Sequence, residues 1–105
     1  IEGIGDDFVP DLFDKTKIDD IILINDDDAI NMSRRLAKEL GLGVGISSGA
    51  NFLGSALLNE RLENPVVTVF ADDNKKYLST DLSRDIDNNT DFISNQIKII
   101  SYDEL

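Results

Sequence analysis

The sequence contains no cysteine and no histidine. Their joint absence excludes disulfides, thiolate nucleophiles and Cys/His zinc sites, and no metal ligand set suggests itself in their place. It also excludes a Ser-His-Asp triad or a Cys-His pair built from this chain alone. No apolar run approaches the roughly 18 residues that span a bilayer. The opening residues, Ile1-Glu2-Gly3-Ile4-Gly5, have no basic region and no long apolar block, so no secretory signal is visible and a cytoplasmic protein is expected. They also lack Met, which is expected of a processed product or of a piece of a longer protein. Positive charge is scarce: 10 Lys and Arg stand against 21 Asp and Glu, a net charge of −11. An acidic surface repels phosphate backbones and anionic lipids, so neither nucleic acid nor membrane is an expected partner.

What remains is an ordinary globular mix, 41% hydrophobic and 30% charged over 105 residues, enough for one domain with a modest core. Residues 1–17 read as a loop, with Gly3 and Gly5 opening backbone conformations closed to other residues and Pro10 as punctuation. The run Ile21-Ile22-Leu23-Ile24 is short, continuous and apolar, as in a buried parallel strand. Asn25 to Asp28 offer N-cap candidates and place negative charge at the positive end of a helix dipole. Ala29, Ile30, Ser33, Leu36, Ala37 and Leu40 then recur at helical spacing, Arg34, Arg35, Lys38 and Glu39 lie largely elsewhere, and Gly41 stops the helix. The triplet Asp26-Asp27-Asp28 has two readings, a metal cluster or a solvated helix start, and the second is the simpler.

Val44-Gly45-Ile46 reads as a short strand, followed by a helix from Ser48 or Gly49 to Leu62. Residues 65–71, Pro-Val-Val-Thr-Val-Phe-Ala, read as the next strand, residues 72–79 as a loop, residues 81–91 as polar, and residues 97–100 as a strand or extended tail. The alternation argues for an α/β fold with a mostly parallel sheet. Three strands and two helices leave one edge and part of one face bare, so the pattern is that of a piece of a larger domain.

Gly45-Ile46-Ser47-Ser48-Gly49 fits the Gly-x-Ser-x-Gly pattern of a hydrolase nucleophile elbow. With no histidine base, and Lys38 on a different element, Ser47 is poorly placed to be a nucleophile. A strand, a serine-glycine turn and a helix bring N–H groups and a hydroxyl to one helix N-terminus. Ligands of parallel sheets collect at such strand ends. Ser47 is thus either a ligand-facing hydroxyl or a plain N-cap, and the residues alone leave both open. The glycine spacing fits neither the dinucleotide nor the P-loop pattern.

Four stretches are more specific together: residues 1–11 (IEGIGDDFVPD), 24–51 (INDDDAINMSRRLAKELGLGVGISSGAN), 65–73 (PVVTVFADD) and 75–82 (KKYLSTDL). Over residues 1–82 the chain resembles the later part of enzymes of the cysteine synthase and cystathionine β-synthase family, the fold type II pyridoxal-phosphate enzymes. The resemblance implies a segment of their large domain, with residues 83–105 as a tail of unknown role. It implies pyridoxal 5'-phosphate as cofactor of the complete enzyme, and Ser47 as the hydroxyl that hydrogen-bonds its ring nitrogen. A hydroxyl, unlike an aspartate, leaves that nitrogen essentially unprotonated and the ring a weaker electron sink. Gly3, Ile4 and Gly5 match the loop on the substrate side of the cofactor.

The lysine that carries the cofactor and the glycine-rich phosphate cradle of such enzymes match nothing in this chain. The chain alone is therefore expected to be inactive, with the N-terminal remainder of the enzyme as its partner and a homodimer implied by the family. The implied reaction is β-replacement or β-elimination on a small amino acid, cysteine synthesis from O-acetylserine and sulfide first. The alternatives are a cysteine β-lyase releasing hydrogen sulfide, a thioether synthase using serine or cysteine, and a non-catalytic interaction module. Two departures bear on the choice. Ala71-Asp72-Asp73-Asn74 stands where the cysteine synthase branch has a Pro-containing Ser-Gly loop, and Asp7 stands where that branch usually has glycine. Asp7 is accordingly a candidate acid or base.

Overall fold

The computed structural model describes residues 17–75 and 91–99. Helix α1 spans Asp26–Leu40. It begins because Asn25, in an extended conformation, accepts the N–H groups of Asp27 at 2.9 Å and Asp28 at 3.2 Å on its side-chain oxygen. It ends because Gly41 adopts a left-handed φ of 69° and returns its N–H to Ala37 O. Helix α2 spans Ile46–Leu62, with Gly45 as N-cap, and closes on Glu63 at a left-handed φ of 55°. A four-residue helix, α3, spans Ile93–Gln96.

The core lies between α1, α2 and the segments that cross them. Met32, Leu36, Val44 and Leu53 are its buried centre, with Ile24, Leu40, Leu42, Phe52, Ile93, Ile97 and Ile99 packed around it. A second cluster, Ala29, Ile30 and Ile46, adjoins the start of α2. Gly49 sets the separation of the two helices. A Cβ there would stand 2.3 Å from Ala29 O and 2.3 Å from Ser33 Oγ. Only glycine lets α2 cross α1 this closely.

The mostly parallel sheet expected from the sequence is not present among the described residues. Residues 21–24 and 65–71 form no ladder, and the β-pairing there is one isolated antiparallel bridge between Val44 and Asp73. The reason is that a parallel strand takes its partner from a distant part of the chain. Ile21 and Leu23 are 70% and 91% exposed, and Val67 and Val69 are 94% and 64% exposed. Ile22, Leu23, Ile24, Val66, Val67 and Thr68 line a cleft of about 430 Å³ against α2. Both segments thus lie beside α2 and leave apolar side chains exposed. Two boundaries also shift. Ile46 opens α2 instead of ending a strand, so that helix starts two to three residues before its expected position.

The acidic start of α1 is not wholly solvated. Asp28 is buried, and its two oxygens accept the N–H groups of Ile93 and Ser94, each at 2.9 Å. One and two turns on, Asn31 donates to Ser94 Oγ at 2.7 Å, and Arg35 donates to Ser94 O and to Ile97 O. Asp28, Asn31 and Arg35 share one helix face, and that face holds residues 93–97.

Candidate functional site

The serine turn sits where the chain enters α2. Ile46, Ser48 and Gly49 of its first turn are buried, and Ser47 is half-buried. Three contacts fix the turn. Ser33 Oγ of α1 donates to Gly45 O at 2.9 Å, Gly45 N–H donates to Asp72 O at 3.1 Å, and Gly49 packs on Ala29 and Ser33. The loop that follows residues 65–71 is thereby laid across the start of α2. Asn51 of α2 donates to Val69 O at 2.9 Å, the Phe52 and Phe70 rings lie 6.4 Å apart, and Asn74 N–H donates to Gly43 O at 3.1 Å.

The two serines have different surroundings. Ser48 is fully buried, and its hydroxyl has no hydrogen-bond partner among the described residues. Ser47 points outward enough to stay half-exposed, and its Oγ lies 3.5 Å from Asp72 Oδ1. Of the pair, Ser47 is the hydroxyl with solvent-accessible surface. The α2 N-terminus carries no acidic residue in its first turn and no side-chain cap of its own, so its dipole favours an acceptor at this place. A pyridine-type nitrogen fits a half-exposed hydroxyl so placed; no element among the described residues matches a glycine-rich phosphate cradle.

Asp72 is the residue that sequence reasoning passed over. It stood in an expected loop and was marked only as part of a departure from the usual pattern. Its signal lay in Gly45, whose missing side chain leaves room for it: a Cβ on residue 45 would stand 2.2 Å from Asp72 Oδ1. Gly3, Ile4, Gly5 and Asp7 lie outside the described residues.

Charge around α1 is organised separately. Arg35 and Glu39 pair along the helix, with Arg35 Nη2 at 3.0 Å from Glu39 Oε1. That hydrogen bond lowers the Glu39 carboxyl below its ordinary value and raises the Arg35 guanidinium. No helix among the described residues is long and apolar enough to cross a membrane. Nor do the described residues gather three or more acidic side chains into a place for a metal ion; Asp28 of the acidic triplet is spent on the α3 backbone.

No family profile matches the chain. It is 43% identical over 83 residues to cysteine synthase B of Campylobacter jejuni, covering 78% of this chain and 27% of that protein. It is 42% identical over 81 residues to cysteine synthase of Helicobacter pylori, covering 75% of this chain and 26% of that protein. Among solved structures, the hydrogen sulfide-producing enzyme of Fusobacterium nucleatum superposes with a TM-score of 0.81 at 56% identity, over 90% of this chain and 29% of that one. An aspartate-to-asparagine mutant of a hydrogen sulfide-producing enzyme, complexed with an α-aminoacrylate intermediate, superposes with a TM-score of 0.85 at 51% identity, over 96% of this chain and 31% of that one. The chain thus spans under a third of the length of the proteins it matches. The exposed apolar side chains of residues 21–24 and 65–71 accord with that share. With two cysteine synthases more than 40% identical over three quarters of its length, the chain belongs to the cysteine synthase family, as a segment of such a protein.

Proposed function

We propose that the whole protein is a pyridoxal-phosphate enzyme that replaces or eliminates the β-substituent of cysteine or a serine-type amino acid, and that Ser47 holds the ring nitrogen of its cofactor. The observation that carries this reading is the contrast within one turn: Ser47 is half-exposed and Ser48 is sealed. When bound, the cofactor supplies the electron sink that lets a β-substituent depart. Ser47 orients the ring through one hydrogen bond, and Ser33, by holding Gly45 O, keeps the turn in place for it. Gly3, Ile4 and Gly5 line the substrate side. The N-terminal remainder of the protein supplies the lysine and the phosphate cradle, and completes a mostly parallel sheet with residues 21–24 and 65–71. The same reading makes residues 1–82 part of the catalytic domain and residues 83–105 a tail. It also makes the whole protein a cytoplasmic homodimer.

Cysteine synthesis from O-acetylserine and sulfide is the first reaction on this reading, supported by the cysteine synthases among the relatives. Sulfide release from cysteine is the second, favoured by the higher identity, 51% and 56%, to the two hydrogen sulfide-producing structures. Asp7 separates them. In the second reaction hydrosulfide leaves the β-carbon first; a water then adds there and gives its proton to the Asp7 carboxylate, which passes it to the hydrosulfide, so that cysteine plus water become serine plus hydrogen sulfide. An acetate leaving group needs no such base.

The test uses the whole protein with its cofactor, assayed for sulfide release from cysteine and for cysteine formation from O-acetylserine. Asp7→Asn is expected to lower the first by about 100-fold, the usual contribution of general acid–base help, and the second far less. Equal loss in both, or no loss in either, removes Asp7 from the chemistry. Failure of both reactions in the unaltered protein overturns the proposed function.

A further inference from the structure

We propose that residues 93–97 are a strap coupled to the serine turn through α1, so that seating the strap favours the bound cofactor; this rests on the cofactor-facing reading of Ser47. The strap lies in the tail to which the sequence assigns no role. A four-residue helix has no stability of its own, so α3 takes its shape from what holds it. Asp28 supplies the cap that Phe92 does not, accepting the N–H groups of Ile93 and Ser94 at 2.9 Å each. Asn31 donates to Ser94 Oγ at 2.7 Å and to Asn95 Oδ1 at 3.1 Å. Arg35 closes the far end on Ser94 O and Ile97 O. In this seat Ser94 is fully buried.

The same helix holds the serine turn from another side. Ala29 and Ser33, one turn apart on α1, pack on Gly49, and Ser33 Oγ donates to Gly45 O at 2.9 Å. Ala29 directly follows Asp28, and Ser33 lies midway between Asn31 and Arg35. A movement of α1 that follows the strap therefore carries the anchor of the turn with it. A second contact runs in parallel. Ile93 and Ile97 pack against the cluster of Met32, Leu36, Val44 and Leu53, and Val44 immediately precedes Gly45. Gly49 leaves no slack between the helices, and close-packed interiors transmit strain. The element with two states is the strap, seated or locally open. Coupling of this kind is reciprocal: if the seated strap tightens cofactor binding by some factor, bound cofactor holds the strap shut by the same factor. Asp28 and Asn31 are then positioning residues for Ser47.

The experiment uses the whole protein with pyridoxal phosphate, at a temperature where every variant is folded. The cofactor dissociation constant is read for the unaltered protein, Asp28→Asn, Asn31→Ala, Ser33→Ala, Ser47→Ala and the Asp28→Asn/Ser33→Ala double variant. Hydrogen exchange at Ile93 and Ser94 is read with and without cofactor, with the Glu63 N–H at the far end of α2 as control. Asp28→Asn and Asn31→Ala are each expected to weaken cofactor binding about fivefold, the lower end of typical coupling. In the Ser33→Ala background the effect of Asp28→Asn is expected to fall to less than half, because it acts largely through Ser33. In the unaltered protein, cofactor is expected to slow exchange at Ile93 and Ser94 about fivefold and at Glu63 less. This arm needs no variant to fold. A strap whose exchange ignores the cofactor, or variants that free the strap and leave cofactor affinity unchanged, would overturn the coupling and leave the role of Ser47 standing. An Asp28→Asn effect undiminished by Ser33→Ala overturns the route through α1. Ser47→Ala is expected to weaken cofactor binding about fivefold, the loss of one neutral hydrogen bond; no change there overturns the cofactor-facing reading itself.

Discussion

Replacing Gly49 with alanine sets helix propensity against packing, and the structure decides which prevails. In a helix interior alanine is favoured over glycine by about 1 kcal/mol, and Gly49 lies within α2. Propensity alone predicts a gain. The new Cβ, however, would stand 2.3 Å from Ser33 Oγ and 2.3 Å from Ala29 O. Ser33 can rotate away, but it then abandons its bond to Gly45 O, a loss of about 1 kcal/mol. Ala29 O belongs to the α1 backbone and has no rotamer to change, so the helices must part, and such overpacking costs roughly 1–3 kcal/mol. The net expectation is a destabilisation of about 1–3 kcal/mol. Gly54 in the same helix is the control, because a Cβ there meets nothing within 4 Å. Gly54→Ala is expected to stabilise by up to about 1 kcal/mol. Urea unfolding of the two variants beside the unaltered protein reads both signs. Cofactor affinity should fall with Gly49→Ala, since Ser47 lies two residues before it. Equal signs for the two substitutions, or a Gly49→Ala protein as stable as its parent, would refute the packing argument.

Three further outcomes are expected. Asp28→Ala removes both acceptors of the α3 N–H groups; a buried charge-assisted pair of this kind is worth about 3 kcal/mol, and hydrogen exchange at Ile93 and Ser94 should accelerate while exchange within α2 does not. Ser48→Ala is expected to be neutral or to stabilise by about 1 kcal/mol in thermal unfolding, because the buried hydroxyl has no partner among the described residues to lose, and to leave cofactor affinity unchanged. The Glu39 carboxyl, lowered by its bond to Arg35, contributes stability that is complete above the ordinary glutamate value of about 4.3 and is lost as pH falls through its lower folded-state value. Glu39→Gln should remove that acid limb from a pH titration of stability, and Arg35 should keep its bonds to Ser94 O and Ile97 O.

The helices were legible because their information is local. Asn25, the spacing from Ala29 to Leu40, and Gly41 are a start, a face and a stop within one stretch of chain, and α1 obeys all three. The serine turn was legible for the same reason, although Ile46 next to Val44 suggested a strand where the helix had already begun. Asp28 was not legible. Its burial depends on Ile93 and Ser94, about 65 positions away, and no periodicity within α1 announces an acidic side chain turned inward. The sheet is not seen among the described residues for a related reason. The apolar runs at 21–24 and 65–71 have the composition of strands covered on both sides, but among the described residues nothing pairs with either run. Asp72 fell between the two cases: the carboxylate was visible, but its meaning comes from the glycine at position 45 on which it rests.

On the proposed reading Ser47, and not Ser48, meets the cofactor. The most direct measurement is a crystal structure of the whole protein loaded with pyridoxal phosphate. Ser47 Oγ is expected at hydrogen-bond distance, about 2.6–3.2 Å, from the ring nitrogen, with Ser48 still sealed between the helices and Asp72 still seated against Gly45. A ring nitrogen bonded to another residue, with Ser47 Oγ beyond contact, would contradict it.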